Sequence, residues 1–363
     1  MGAAPPNRKV NVTLKQIAER LEISQATVSR VLNRRGLGFI SLATRERVEL
    51  TAAEMGYRPN QIARGLSTGR TNIVALWIRN PTAPYYAAIV EQMAEHAALN
   101  GYEMILRAFR DRGDDHGTPA AIDPLAVWPV DGLFAVDVRA PVDGFLHAVG
   151  RAIPFVGMGN DFPAERDHVS FDAEAGVRDA VEHLLESGCR KIVHLSAGCS
   201  IRKVRLARAD IFERVITDAG MTPIVIKSPN ETRIAARHTI AQHVREHGCP
   251  DGVFCINDDV AIGAHRGLLD LGKRVPQDVK LVGFDAIADG ELLATPLTSV
   301  NQPVDELVTN AWEFMKRRMQ SATVPQQTHV VRPRLLIRES TTARHPPPSM
   351  VSAGVSPIVA IGA

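Results

Sequence analysis

Residues 12–33 constrain this chain more than any other stretch. They read Val-Thr-Leu-Lys-Gln-Ile-Ala-Glu-Arg-Leu-Glu-Ile-Ser-Gln-Ala-Thr-Val-Ser-Arg-Val-Leu-Asn. The spacing describes two short helices joined by a tight turn. Thr13 opens the first, with Gln16 three residues on in the pattern of a capping box. Leu14, Ile17, Ala18 and Leu21 then recur at i, i+3, i+4 and i+7, which makes one apolar face. Ser24 caps the second helix, whose apolar positions are Val28, Val31 and Leu32. Its other face carries Gln25, Ala26, Thr27, Ser29, Arg30 and Asn33. Such small hydrogen-bonding groups with one cation can enter a major groove and read base edges. The plain alternative is an amphipathic hairpin with a solvated face, and the charge distribution argues against it. Residues 1–70 hold 12 Lys and Arg against 5 Asp and Glu, a net +7, while the remainder holds 30 against 35, a net −5. A basic head on an acidic body suits a head that sits on phosphates while the body stays off them.

Beyond these helices, Ser41 is placed to cap a third that runs to about Met55, with Val48, Ala52 and Met55 facing the first two. Gly56 fits the C′ position, and Tyr57 is expected to pack beneath the bundle. Arg34 and Arg35 open a loop to Phe39 from which they can reach a phosphate backbone. After Pro59, the stretch from Asn60 to Leu66 is long enough for less than two helical turns, so it should be helical only when something holds it.

From Ile73 onward the pattern alternates. Apolar runs at Ile73–Ile78, Glu103–Leu106, Gly132–Val136, Phe155–Gly157, Lys191–Ser196, Val253–Ile256 and Leu281–Phe284 read as strands buried on both faces. Helical patterns lie between them at Tyr85–Asn100, Ala173–Ser187, Thr232–His247 and Asp259–Leu271. Alternation of this kind implies parallel sheets with helices on both sides, and the length suits two subdomains. Ligands of such sheets bind at the carboxyl ends of the strands. Asn80, Tyr85 and Tyr86 follow the first strand, Asp258 follows Val253–Ile256, and Asp285 follows Leu281–Phe284. A tyrosine ring can stack on a sugar or base, or can simply pack on the helix it opens. Each aspartate can hold a ligand hydroxyl or cap a helix.

Four segments carry a family resemblance: Val12-Thr13-Leu14, Ser24 through Asn33, Thr44-Arg45-Glu46-Arg47-Val48, and Gly56-Tyr57-Arg58-Pro59-Asn60. With these the chain resembles the lactose-repressor family of transcription factors. The likeness runs from about Val12 to Ser340, very specific in the first sixty residues and looser after them. It implies an N-terminal all-α helix-turn-helix domain and an α/β core like a periplasmic sugar-binding protein, built of two Rossmann-like subdomains. The implied organisation is a disordered tail at 1–11, a DNA-binding domain at 12–57, a hinge at 58–70 and an effector-binding and dimerisation domain at 71–340. Within it the N-subdomain takes about 71–170 and 299–330, and the C-subdomain about 171–298 and 331–340. The chain would cross between them near Ser170, Ser299 and Val330, and 341–363 would be a disordered tail. The resemblance assigns DNA contacts to Thr13, Ser24, Gln25, Ala26, Thr27, Ser29, Arg30, Asn33, Tyr57, Asn60, Ala63 and Leu66. Gln25 and Ala26 begin the recognition helix. Ala63 matches a minor-groove contact, and Leu66 an apolar wedge between base steps, unless it is a linker leucine packed on the core. Effector contacts would fall to Asn80, Tyr85, Tyr86, Arg208, Asp258 and Asp285. Arg208 needs a one-residue gap, so Arg205 is a rival. The chain departs from the family at Glu22 and Ile211, where glycine is usual, at Cys189, where histidine is usual, and in a loop after Asn33 about two residues longer.

Other chemistries find little footing. Cys189, Cys199, Cys249 and Cys255 have no C-x-x-C spacing and read as reduced thiols of a cytoplasmic protein. The first nine residues lack the apolar run of a signal peptide, and no membrane span is expected. His243-Val-Arg-Glu-His247 fits an H-x-x-E-H metallopeptidase pattern, but it ends a charged helix and reads as solvated. Gly157-Met-Gly159-Asn-Asp-Phe162 breaks the dinucleotide fingerprint and reads as a turn. No catalytic residue, metal or cofactor is expected. The reading is a DNA-binding regulator that binds a palindromic double-stranded operator as a homodimer. A repressor of carbohydrate use with a small sugar-like effector fits best. A purine, nucleoside or other metabolite effector, an activator, and a stand-alone solute-binding module are the alternatives. The tail after Ser340 has no heptad leucines, so a tetramerising coiled coil is not expected.

Overall fold

The computed structural model describes residues 12–33, 37–57, 70–109, 130–149, 153–163, 165–198 and 202–342. It divides into two compact units, Met1–Thr71 and Asn72–Ala363.

Among the described residues the first unit is a head of three α-helices. Helix α1 (Leu14–Leu21) carries a complete capping box: Thr13 Oγ1 accepts from the Gln16 amide and Gln16 Oε1 accepts from the Thr13 amide, at 3.3 and 2.8 Å. Ser24 caps α2 (Gln25–Leu32) through the Thr27 amide at 3.0 Å. Ser41 does the same for α3 (Leu42–Glu54) through the Thr44 amide at 3.3 Å. Ile17, Ala18, Val28, Val31, Ile40, Val48 and Ala52 form the buried core, with Leu14, Leu21, Met55 and Tyr57 packed at its rim. The turn between α1 and α2 forces Glu22 into the left-handed region, at φ 55° and ψ 39°. A residue with a Cβ is strained there by about 1–2 kcal/mol.

The second unit holds two six-stranded sheets. One contains β1 (Ile73–Arg79), β2 (Glu103–Phe109), β3 (Gly132–Val136), β4 (Phe155–Met158), β5 (His168–Phe171) and β11 (Thr328–Val331), in the order β11-β5-β4-β3-β1-β2. The other contains β6 (Ile192–Ala197), β7 (Ile224–Ser228), β8 (Gly252–Cys255), β9 (Lys280–Asp285), β10 (Thr298–Asn301) and β12 (Arg334–Leu336), in the order β12-β10-β9-β8-β6-β7. Both have the central-switch order of doubly wound folds. All pairings are parallel except β10 with β12. The helices between them are α4 (Pro84–Leu99), α5 (Arg139–Val149), α6 (Ala173–Glu186), α7 (Arg202–Asp218), α8 (Arg233–His247), α9 (Asp258–Asp270), the short α10 (Ala288–Glu291) and α11 (Val304–Gln320). Among the described residues no helix is long and apolar enough to cross a membrane.

The chain passes from one sheet to the other after Phe171, after Asn301 and after Val331. Sequence had placed these passages near Ser170, Ser299 and Val330. Ser299 lies inside β10, paired with Gly283 of the second sheet. The switch follows at Gln302–Pro303, after which α11 buries Leu307, Val308, Ala311, Trp312 and Met315 in the first lobe. The polar run Thr-Ser-Val-Asn hid this strand from an apolar-run reading. Thr341, assigned to the tail, is buried and hydrogen-bonded to Thr298 and His183.

The strained turn yields a direct check. Glu22→Gly removes the left-handed penalty and should stabilise the head by about 0.5–1 kcal/mol. Native-state hydrogen exchange of the α1 and α2 amides in the full chain should slow accordingly, with the body unaffected.

Candidate functional site

In the head, α2 presents the surface that sequence reasoning singled out. Gln25, Ala26 and Arg30 are exposed, while Thr27 and Ser29 are half-buried. The Thr27 hydroxyl lies 2.8 Å from Ser24 Oγ, and Asn33 Nδ2 donates to Ser29 Oγ at 3.1 Å. Those four side chains stiffen the helix ends, which leaves Gln25, Ala26 and Arg30 as the freely presented groups. Thr13 is held in its capping box. Tyr57 packs at the rim of the core, where burial raises its phenol. Asn60, Ala63 and Leu66 lie outside the described residues, as do Arg34 and Arg35.

In the body, the strand ends of the two lobes supply a polar cluster. Tyr86 is buried and its phenol donates to the Asp137 carboxylate at 2.8 Å. Tyr85 meets it edge-on, ring centroids 5.2 Å apart. Burial raises the Tyr85 phenol well above its ordinary range, and Asp137, Asp285 and Tyr86 push the same way while Arg208 opposes them. Tyr85 therefore lies within electrostatic reach of Asp137 in its own lobe and of Asp285 and Arg208 in the other. The Arg208 guanidinium stacks on Phe284, 3.8 Å from the ring centroid, and donates to the Ile256 carbonyl at 2.6 Å. Stacking of this sort fixes the plane of the fork. The side chain of Arg205 lies outside the described residues.

Asp285 ends β9 at φ 105° and accepts from Gln302 Nε2 at 2.6 Å. Asp258 is different. Only 1 % exposed, it sits behind the segment that follows Asp285. Ser299 Oγ donates to one of its oxygens at 2.7 Å and the Ile287 amide to the other at 2.8 Å. The cap of α9 is Asn257, through the Val260 amide at 2.9 Å, so neither Asp258 nor Asp285 is a helix cap. Burial, then the neighbouring Asp285, pushes the Asp258 carboxyl up to about 8 against the pull of Ser299, Ile287 and Arg338. Asn80 lies in an exposed turn at φ 41°, its Oδ1 accepting from Thr82.

Several members of this cluster escaped the sequence reading. Asp137 follows β3 directly, so the strand-end rule applied to Gly132–Val136 would have found it. Arg79 at the end of β1 is 5 % exposed and lies 4.0 Å from the Glu231 carboxylate, which Asn257 Nδ2 approaches at 3.3 Å. This polar link joins the two lobes, and nothing in local spacing announces it. His194 lies beneath, on β6. Its Nδ1 is 3.0 Å from the Phe254 carbonyl and its ring is flanked by Phe212 and Phe254. Burial lowers its pKa to about 4, so the ring is neutral at pH 7. Of the H-x-x-E-H residues, His243 is buried rather than solvated, because its face of the helix packs inward, and it stacks on His247, centroids 4.9 Å apart.

Comparison with known proteins agrees with this architecture. The pattern described as "Bacterial regulatory proteins, lacI family" matches residues 13–60, and "Periplasmic binding protein-like domain" matches 181–341. The HTH-type transcriptional repressor PurR of Erwinia tasmaniensis is 30% identical over 347 residues, covering 90% of this chain and 96% of that protein. A crystal structure of the lac repressor dimer bound to operator and an anti-inducer superposes with a TM-score of 0.80 at 24% identity, over 92% of this chain and 100% of that one. The transcriptional regulator CelR in complex with cellobiose is 27% identical with a TM-score of 0.66, over 91% of this chain and 100% of that one.

The buried imidazole carries a pH consequence. A histidine whose folded pKa lies below its unfolded value binds fewer protons when folded, so stability falls as pH drops from about 6.5 towards 4. The loss should reach roughly 3 kcal/mol. Urea unfolding of the wild type and of His194→Phe between pH 7 and 4 should show a smaller loss in the variant.

Proposed function

Because the chain belongs to the lacI family of bacterial regulatory proteins, we propose that it represses a carbohydrate-utilisation operon and that a small sugar-like compound controls its grip on the operator. The observation that carries the effector half of this reading is the interlobe cluster. Tyr85 offers a ring face, Arg208 a stacked guanidinium, and Asp137 and Asp285 carboxylates. Directional acceptors and a fixed cation beside an aromatic suit a molecule rich in hydroxyl groups. The cellobiose complex of CelR supports a sugar in particular.

For the DNA half, Gln25 and Ala26 are the base-reading residues. Arg30 contributes charge and reach, and Thr13, Ser24, Thr27, Ser29 and Asn33 hold the head and contact phosphates. Tyr57, Asn60, Ala63 and Leu66 complete the set through the stretch leading to the hinge. The domain plan follows: DNA-binding at 12–57, a hinge at 58–70 and effector binding from 71 through the buried Thr341. A palindromic operator needs two heads, so the working unit is a homodimer, as in the operator-bound lac repressor. It acts in the cytoplasm, where the operator is. In the body, Asp285, Tyr85, Tyr86 and Arg208 are the direct effector contacts, with Asn80 at the rim and Asp258 behind.

Fluorescence anisotropy with a labelled palindrome from beside the gene tests the DNA half. At fixed salt it should bind at least a thousandfold more tightly than a random duplex. Gln25→Ala should weaken it by about 1–3 kcal/mol and relax base preference at one position per half-site. Binding no tighter than to random DNA, with only a steep salt dependence, would overturn the operator assignment.

A further inference from the structure

Two consecutive residues at the end of β9 adopt left-handed backbone although neither is glycine: Asp285, its last residue, at φ 105° and Ala286 at φ 54°. Such conformations persist only where the surroundings over-determine them. Gln302 holds the Asp285 side chain from one side, and one carboxyl group gathers the backbone amides from behind. The Ala286 amide donates to Ser299 Oγ at 3.0 Å, the same hydroxyl donates to Asp258 Oδ1 at 2.7 Å, and the Ile287 amide donates to Asp258 Oδ2 at 2.8 Å. Both amides that follow Asp285 thus end on Asp258, one directly and one through a hydroxyl relay. The carboxyl also presses on the strand itself: a Cβ at Gly283 would stand 2.0 Å from Asp258 Oδ1. Leucine at 297 closes the other side.

We infer that Asp258 is a positioning residue, which clamps the Asp285–Ile287 segment from behind and so sets where the Asp285 carboxylate stands in the interlobe cluster without itself touching a ligand. The consequence for binding rests on the effector reading above. The groups facing Asp258 are the Asp285 carboxylate, the Ser299 hydroxyl, the Ile287 amide, Arg338 and the Cys255 thiol. Ionisation of Asp258 puts a second negative charge under the segment that already carries Asp285, and like charges at short range repel. With its carboxyl poised at about 8, the clamp is neutral at pH 7 and charged at pH 9. Cys255 and Tyr85 are pushed well above their ordinary values and His194 sits at about 4, so none of these three titrates in that window. A ligand that covers Asp285 removes water from above the clamp and favours its protonated form. Ligand affinity should therefore fall as pH rises through about 8.

Hydrogen exchange of the full-length protein tests the clamp without any ligand. Asp258→Asn keeps the shape but puts an amide nitrogen, which cannot accept a hydrogen bond, where a donor meets a carboxyl oxygen that can, so the segment 285–292 should exchange at least tenfold faster while the α11 peptides keep their protection. In the wild type, the protection of that segment, corrected for intrinsic chemistry, should drop at least threefold between pH 7 and pH 9. The step should vanish in Asp258→Asn. Ser299→Ala, which removes only the relay, should loosen the segment by a smaller factor and retain the step. Unchanged exchange in both variants, or a step that survives in Asp258→Asn, would overturn the clamp. Calorimetry with cellobiose separates the two ideas. Binding that weakens tenfold in Asp258→Asn supports both, and absent binding to the wild type counts against the sugar reading while the exchange data still decide the clamp.

Discussion

Parallel pairing within each sheet is the constraint on which the body depends. It aligns every strand of a layer except the antiparallel β12, so the carboxyl ends of β1 and β3 in one sheet, and of β8 and β9 in the other, deliver Arg79, Asp137, Asn257 and Asp285 to the polar cluster. The same alignment buries the strands on both faces and leaves polar chemistry to the ends. Three of the buried polar groups near these ends are held by short contacts: Tyr86 by Asp137, Asp258 by Ser299 and Ile287, and His194 through Nδ1 by the Phe254 carbonyl. A buried polar group without a partner would cost about 1–3 kcal/mol, so these contacts keep the cluster ordered.

The head solves a different problem with little material. Among the described residues seven small and medium apolar side chains form its buried core, and a core that size gives a marginal domain. Its helices are therefore secured at their ends, by Thr13 with Gln16, by Ser24 and by Ser41. Capping that uses side chains on one end of α2 leaves Gln25, Ala26 and Arg30 outward, and this separates the residues that hold the helix from those that can meet DNA.

The parts legible in sequence are those governed by local rules. The capping box, the i, i+3, i+4 stripe, the Gly56 terminus and the alternating α/β pattern depend on neighbours a few residues apart, and each helix of the body that sequence identified ends within about two residues of its reading. Glu22 was readable as a departure from glycine, and its left-handed backbone follows. What escaped was set by distant contacts. Thr298–Asn301 is a central strand written in polar residues because its neighbours β9 and β12, with Ser340 and Thr341, satisfy those groups. Asn257 and Asp258 are adjacent, yet one caps a helix while the other turns inward beneath β9 and β10. Nothing in the dipeptide distinguishes them; the register of the sheet does. Asp137 was within reach of the strand-end rule, whereas the Arg79–Glu231–Asn257 link joins residues more than 150 positions apart.

In the proposed function, a compound held in the body alters the affinity of the head for DNA. Linkage makes this reciprocal: operator must change compound affinity by the same factor. The direct measurement is the dissociation constant of the operator with and without each member of a panel of sugars and nucleobases, in the wild type and in Asp285→Asn. One compound should shift operator affinity at least tenfold in the wild type and less than twofold in the variant. If every compound that binds the chain leaves operator affinity unchanged, or if the shift survives in Asp285→Asn, the body does not control the head through this cluster.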